Sequence, residues 1–308
     1  MATKTDGRSR SGASSRGSSS PKKGAPKGGA KQRPKGRAAR KQAKQKERMA
    51  KLRSRAGSRW RYHYDIEGPR VRLGVLWFLA TIAAFAVGLV AVTVLFGVAF
   101  AAASAHTLRT WRAAGRDVDP TVALGMTAVV VALAAVGPRF LGVGMFVLVG
   151  LAGAMTLRGD DGTAVPSLGS IGLLLQCTLP TALAGGAVLL LADREIWSAI
   201  ALVIIVSAYE SGDYLIGSGA ANAAEGPLAG LAAVLVASMV VAAGGFPPFS
   251  VGEAMLFGLA VAPLALAGQY LATAMLPHAR SFAPALRRVD SLLLAAPVWY
   301  FGLDVIVW

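Results

Sequence analysis

The chain has 308 residues, 54% of them hydrophobic, and a formal net charge of +16. Residues 1–72 hold 23 of the 32 Lys and Arg residues and only four acids, whereas residues 73–308 hold nine Arg, 12 acids and no Lys. This segregation excludes a uniform soluble domain and indicates a basic polar tail joined to a long apolar body. The single cysteine, Cys177, excludes a disulfide framework and a cysteine-rich metal site.

Residues 1–58 consist mainly of Ser, Gly, Lys, Arg, Pro and Ala. Such a segment buries too little apolar surface to offset its ordering entropy, so we expect a disordered basic cytoplasmic tail. Three roles remain open for it: setting membrane topology, contact with anionic headgroups, and contact with RNA. Residues 59–72 are expected to form a juxtamembrane segment, in which Trp60, Tyr62 and Tyr64 are typical of interface anchors.

The first apolar stretch is too long for one membrane span. No charged residue lies between Arg72 and His106, whereas a span needs only about 20 residues. We therefore predict two short spans with a tight turn near Gly88. The following loop, 106–120, carries three Arg residues, and two preceding spans place it on the same side as the basic tail, as the positive-inside rule prefers.

Seven further apolar stretches follow along the chain. They lie at about 121–137, 139–157, 167–192, 195–209, 227–246, 250–276 and 291–308. Because lipid offers no partners for backbone polar groups, helices are expected throughout residues 73–308. The prediction is an all-α, polytopic integral membrane protein with about nine transmembrane helices and a cytoplasmic N-terminus in the cell (inner) membrane. An eight-span arrangement would place the first Arg-rich loop outside and ranks second.

The first group of candidate site residues is acidic. Glu210, Asp213 and Glu225 lie at the end of a predicted span, in a segment, 209–226, with four glycines. Ionisable groups at membrane depth indicate a functional site, but a solvated loop would also accommodate them. Acids three residues apart on a helix face one direction and can share a divalent cation.

The second group lies before the last predicted span. Arg280, Arg287 and Arg288 suit phosphate or headgroup binding, because guanidinium makes bidentate contacts, although a positive-inside loop would have the same composition. Asp290 opens the apolar run, where metal binding and capping of a helix N-terminus are both open. We therefore take Asp290, Asp213, Glu210 and Glu225 as candidate metal ligands.

With these residues identified, the body resembles the phosphatidate cytidylyltransferase (CDP-diacylglycerol synthase) family. Residues 210–217 read ESGDYLIG, with Glu225 and Gly226 after them, where the family has Asp-Thr-Gly-Ala-Tyr-x-x-Gly and then Lys-Thr-x-Glu-Gly. Residues 286–300 read LRRVDSLLLAAPVWY and resemble the ending Asp-Arg-x-Asp-Ser with an apolar span containing Ala-Pro-Val. The resemblance covers about residues 73–308 and implies CTP and phosphatidate as substrates and Mg²⁺ as cofactor.

The departures from the family pattern concern the residues that would carry the chemistry. Its Lys-Thr pair is Asn222-Ala223, its Gly-Asp is Gly268-Gln269, and Arg287 replaces the first Asp of the last motif. Phosphoryl transfer depends on positioning and on charge neutralisation by metal and cationic side chains. Losing one transition-state contact costs on the order of a hundred- to a thousand-fold in rate.

Two functions are therefore expected from the sequence. The favoured one is a catalytically weak or inactive relative that binds an anionic phospholipid such as phosphatidate, or a membrane partner, with Arg280, Arg287 and Arg288 at the headgroup. The alternative is an active CDP-diacylglycerol synthase using CTP and Mg²⁺. A transporter ranks third, because no charged relay runs through the spans. A second copy of the chain, as a homodimer, is a further partner hypothesis.

Overall fold

The structure is a computed structural model and describes residues 70–154, 168–218, 220, 222, 224–279 and 281–307. The predictions for the tail, for the juxtamembrane aromatics and for Arg280 fall outside these residues. The described residues all belong to one compact unit and contain helices without any β-strand, which confirms the all-α prediction for this part of the chain.

Ten helices follow one another along the described chain. They are α1 (Arg70–Val87), α2 (Leu89–Ala113), α3 (Pro120–Ala134), α4 (Pro138–Ala154), α5 (Leu168–Arg194), α6 (Ile196–Gly217), α7 (Glu225–Ala243), α8 (Val251–Ala274), the short α9 (Leu286–Val289) and α10 (Leu292–Ile306). Six segments are long and apolar enough to cross a membrane: α2, α5, α6, α7, α8, and α9 with α10 as one unit. The chain is therefore a polytopic membrane protein. Helices α1, α3 and α4 are apolar but shorter.

The break between the first two helices lies at Gly88, as predicted. Gly88 has φ 118°, in the region that favours glycine, and α2 starts at the next residue. The Trp77 ring meets Phe96 edge to face with centroids 5.8 Å apart, so α1 folds back beside α2. The predicted loop 106–120 is shorter than expected, because α2 continues to Ala113 and carries Arg109 and Arg112 on its last turns.

Helix α3 begins with a well-defined cap. Pro120 is its first residue, and the Asp119 carboxylate accepts hydrogen bonds from the backbone N–H and the hydroxyl of Thr121 at 2.9 and 2.8 Å. These hydrogen bonds hold the pKa of Asp119 below its ordinary value. Further into the membrane body, the Thr127 hydroxyl donates to Ser104 Oγ at 2.9 Å and joins α3 to α2.

Helix α5 is the most buried of the candidate spans, because 67% of an 18-residue apolar stretch within it lies inside the protein. It packs against α2, α3, α4, α6 and α10. Cys177 on this helix is completely buried and behaves as a small hydrophobic residue. The outward faces of the other helices carry exposed large apolar side chains, among them Leu76, Val94 and Phe146, as expected for surfaces that meet lipid.

The two ends of the bundle differ in their polar contacts. At one end, Trp111 Nε1 donates to the Met275 carbonyl at 2.8 Å and Gln176 Nε2 donates to the Ala274 carbonyl at 3.1 Å. The end of α2 and the first third of α5 therefore meet the end of α8. We call this side of the bundle the polar end. At the opposite end, Arg194 forms an exposed ion pair with Asp304, a contact worth about 0–1 kcal/mol.

Candidate functional site

The polar cluster lies where α6, α8 and the α9–α10 junction meet at the polar end. Its members are Tyr209, Glu210, Asp213, Gln269, Thr273, Arg287, Arg288, Asp290 and Ser291. The hydropathy pattern predicted that the span ends at Tyr209, but α6 continues to Gly217. Glu210 and Asp213 are therefore on the last turns of a long helix instead of in a loop.

The central contact of the polar cluster is an ion pair. Arg287 Nη1 lies 3.5 Å from Asp290 Oδ2, and the two side chains are only 5% and 2% exposed. Arg287 Nη1 also donates to Thr273 Oγ1 at 2.9 Å, and this hydroxyl donates to the Gln269 carbonyl at 2.9 Å. The guanidinium is thus held between the α9–α10 junction and α8, with its charge neutralised inside the protein.

Asp290 also organises the start of α10. Its Oδ1 accepts a hydrogen bond from the Ser291 backbone N–H at 2.9 Å, so the carboxylate stabilises the helix junction. Gln269 Nε2 reaches Ser291 Oγ at 3.5 Å and provides the interhelical hydrogen bond expected of a buried Gln. Gly268 lies against the Asp290 carbonyl oxygen so closely that a Cβ there would collide with it.

The two acids on α6 approach the same region from the other side. Asp213 is 2% exposed, and Glu210 is half-buried. Glu210 interacts with the Ser291 side chain and electrostatically with Asp290, Asp213 and Arg288. The structure therefore brings together three of the four predicted metal ligands and both described arginines of the second group.

Arg288 occupies the side of the polar cluster next to α1. Its Nη1 would be 3.4 Å from a Cβ at Gly74, so the guanidinium lies against the α1 backbone. Its electrostatic partner is Glu210 on α6. Arg288, one of the three arginines predicted to hold a lipid headgroup, thus has a carboxylate partner within the protein.

Glu225 differs from the other candidate ligands in its exposure. It is exposed on the first turn of α7 and is not among the residues named above as interacting with Glu210. Within the described part of the chain, no group of three or more His, Cys, Asp or Glu residues is arranged to hold a metal ion. Because Arg287 also places a positive charge beside Asp290, the described residues do not fit the Mg²⁺ site that the resemblance implies.

Tyr209 is a member of the polar cluster that sequence reasoning did not single out. Its side chain is 1% exposed and lies within electrostatic range of Asp213, Asp290 and Tyr270. Its ring packs on α7, where a Cβ at Gly230 would be 2.8 Å from the ring carbons. Its hydroxyl has no hydrogen-bond partner among the described residues. The sequence signal was present, since Tyr209 directly precedes Glu210.

Comparisons with protein-family models, with curated proteins and with solved structures found no match to this chain.

Proposed function

We propose that this chain is a divergent, catalytically weak or inactive member of the phosphatidate cytidylyltransferase family that binds an anionic phospholipid. The observation that carries the loss of metal-dependent catalysis is the buried ion pair between Arg287 and Asp290. Binding of an anionic lipid is supported by the exposed Arg109 and Arg112 at the polar end of an apolar helical bundle. The motif of the family that this segment resembles has an aspartate where this chain has Arg287. Two carboxylates on one helical face would attract a divalent cation, whereas Arg287 and Asp290 together form a neutral pair.

The energetics of the ion pair support a role other than metal-dependent chemistry. A divalent cation at Asp290 would have to displace or approach a guanidinium 3.5 Å from the same carboxylate. Like charges at such distances repel strongly in a poorly solvated site. Asp290 is also engaged with the Ser291 N–H, which supports a structural function for its carboxylate.

We further propose nine spans, with a cytoplasmic N-terminus in the cell (inner) membrane. Helices α3 and α4 are 15 and 17 residues long and reach only about 22–26 Å at 1.5 Å per residue, slightly less than the hydrocarbon core, which local thinning accommodates. Arg109 and Arg112 on the last turns of α2 lie at the polar end of the bundle. The first turns of α1 lie there too, because Gly74 on α1 is next to Arg288. The positive-inside rule assigns this end to the cytoplasm.

The lipid-binding function is tested by counting bound lipid. The full-length protein in detergent is incubated with phosphatidate or with phosphatidylcholine of the same acyl chains, and native mass spectrometry measures the bound fraction. We expect phosphatidate to bind at least ten-fold more tightly, because it presents a phosphate monoester without a neutralising choline. Equal binding of the two lipids would overturn the proposal.

The alternative function is an active synthase that makes CDP-diacylglycerol from CTP and phosphatidate with Mg²⁺. The approach of Glu210 and Asp213 to Asp290 favours it. The Arg287 ion pair and the exposed position of Glu225 speak against it.

A further inference from the structure

A pocket of about 560 Å³ opens at the polar end, between the last turns of α2 and the loop that joins α8 to α9. Its polar wall is formed by His106, Arg109, His278 and the hydroxyl residues Thr110 and Ser281. None of the described residues that line it is acidic. The polar groups of the described lining are therefore cationic or neutral, and the residues of the polar cluster do not belong to it.

Arg109, which supplies the positive charge of the described pocket lining, differs from the arginines of the polar cluster. Arg287 has Asp290 as its buried partner, whereas Arg109 is exposed and forms no ion pair with any described residue. Arg109 also lies close enough to His106 for the two side chains to interact electrostatically. Nδ1 of His106 is buried and has no hydrogen-bond partner in the described part of the chain. Arg109 therefore lines the pocket without an ion-pair partner, and His106 lines it without a hydrogen-bond partner for Nδ1, among the described residues.

The remaining wall of the pocket is apolar. It includes Pro277, Pro284 and Phe282, and the Phe282 side chain is 71% exposed. Trp111 fixes the wall on the α2 side by its hydrogen bond to the Met275 carbonyl. The combination of a cationic wall and an exposed aromatic ring at the end of apolar helices suits a ligand with a charged head and an apolar body.

We propose that this pocket binds a phosphate monoester, with Arg109 as the main contact and His106 and His278 as hydrogen-bond donors. Guanidinium matches phosphate oxygens in a fork geometry, and charge-assisted hydrogen bonds of this kind are the strong ones. The phosphate belongs either to a phospholipid headgroup or to a free phosphate compound. For the lipid source the inference rests on the proposed function and moves its headgroup site from Arg287 and Arg288 to this pocket.

The test compares two arginines on one helix. Arg109→Gln removes a charge that lines the pocket, and Arg112→Gln removes an equal charge from an exposed residue outside the lining. The two variants have the same net charge as each other and the same basic tail. The general electrostatic attraction to anionic lipid is therefore equal in both and does not contribute to the difference between their affinities. Native mass spectrometry of the full chain in detergent gives the affinity for phosphatidate, and separate titrations give those for glycerol 3-phosphate and inorganic phosphate.

We expect Arg109→Gln to weaken phosphatidate binding at least ten-fold and Arg112→Gln to change it less than two-fold. His278→Gln, which replaces an exposed side chain, is expected to weaken binding to a smaller extent and serves as the second pocket variant. Competition by glycerol 3-phosphate but not by glycerol would assign recognition to the phosphate. If the soluble phosphates bind as tightly as phosphatidate, the source is the free compound; if they bind far more weakly, the source is the lipid.

If Arg109→Gln and Arg112→Gln weaken phosphatidate binding equally, the proposal that this pocket binds the phosphate is overturned. The lipid-binding function would then stand without it. If the wild-type chain binds no phosphatidate, the lipid-binding function fails by itself. The pocket then stands only if inorganic phosphate or glycerol 3-phosphate binds and Arg109→Gln abolishes that binding. Absence of binding by all three probes would overturn both proposals.

Discussion

Arg287 and Asp290 face each other one turn apart at the α9–α10 junction, with Nη1 3.5 Å from Oδ2 and both side chains almost fully buried. The pair joins three parts of the bundle, because Arg287 also contacts Thr273 on α8 and Asp290 holds the Ser291 N–H before α10. This contact links α8 to the α9–α10 junction and places a positive charge beside Asp290.

The ion pair predicts strong coupling between its two residues. Arg287→Met and Asp290→Asn are each expected to lower the unfolding free energy by about 3 kcal/mol, because each leaves its former partner buried without neutralisation. The double variant is expected to lose clearly less than the sum of the two. Denaturant titration of the four proteins in detergent measures this coupling. Additive losses would show that the pair is not energetically linked.

The contact between α8 and Asp290 predicts a steric requirement at Gly268. Gly268→Ala would push a methyl group into the Asp290 carbonyl oxygen, and overpacking of this kind costs about 1–3 kcal/mol. Gly252→Ala is the matched control, because the same helix leaves open space there and alanine is the better helix former by up to about 1 kcal/mol. Thermal unfolding should place the two variants on opposite sides of the wild type. A stable Gly268→Ala protein would contradict the close packing.

The cap of α3 predicts a pH dependence. Hydrogen bonds from Thr121 lower the pKa of Asp119 in the folded protein, so its stabilisation is present above the unfolded-state pKa and is lost as the pH falls through the folded-state pKa. Asp119→Ala should destabilise the protein by about 1 kcal/mol at neutral pH, and the difference should shrink under acidic conditions. Asp117→Ala, in the same exposed loop, should show little effect at either pH. An equal effect of the two variants would exclude the cap.

The basic tail predicts a separable function. Deletion of residues 1–58 should leave the thermal unfolding of the membrane body unchanged but weaken association with vesicles that contain anionic lipid, or with RNA. The deletion removes 19 Lys and Arg residues, and each basic residue near an anionic surface contributes on the order of 1 kcal/mol when engaged. Vesicle flotation and filter binding measure the two associations. If both are unchanged, the tail serves only to orient the protein.

The order of the apolar helices along the chain was predicted well from the amino-acid sequence. Hydropathy reports directly on the cost of exposing side chains to lipid or water. The sequence also predicted the break at Gly88 from the length of the apolar stretch, supported by the Arg residues of the following loop. It failed at α6, because an apolar run ends at its first acid, whereas the helix continues to Gly217. Glu210 on this continuation interacts with Arg288, and a partner so distant in the chain is invisible to a local pattern.

The candidate site was predicted in part for the same reason. Asp290, Asp213, Glu210 and Glu225 were predicted as candidate metal ligands, and this role stays a prediction. The structure brings Glu210 within electrostatic range of Asp213 and Asp290. The pairing of Arg287 with Asp290 depends on a four-residue helix that no periodicity indicates. Tyr209 and Thr273 joined the polar cluster through packing between helices distant in the chain, which one sequence does not report.

The most direct test of the account is an assay for CDP-diacylglycerol synthesis. The purified full-length protein, shown to be folded by its thermal unfolding, is supplied with labelled CTP, phosphatidate and Mg²⁺, and the lipid products are separated. We expect little or no CDP-diacylglycerol, at most a small excess over an Asp213→Asn control, together with retained binding of phosphatidate. Conversion of most of the CTP that depends on Mg²⁺ and disappears in the Asp213→Asn protein would contradict the proposed function and would establish an active synthase despite the Arg287–Asp290 ion pair.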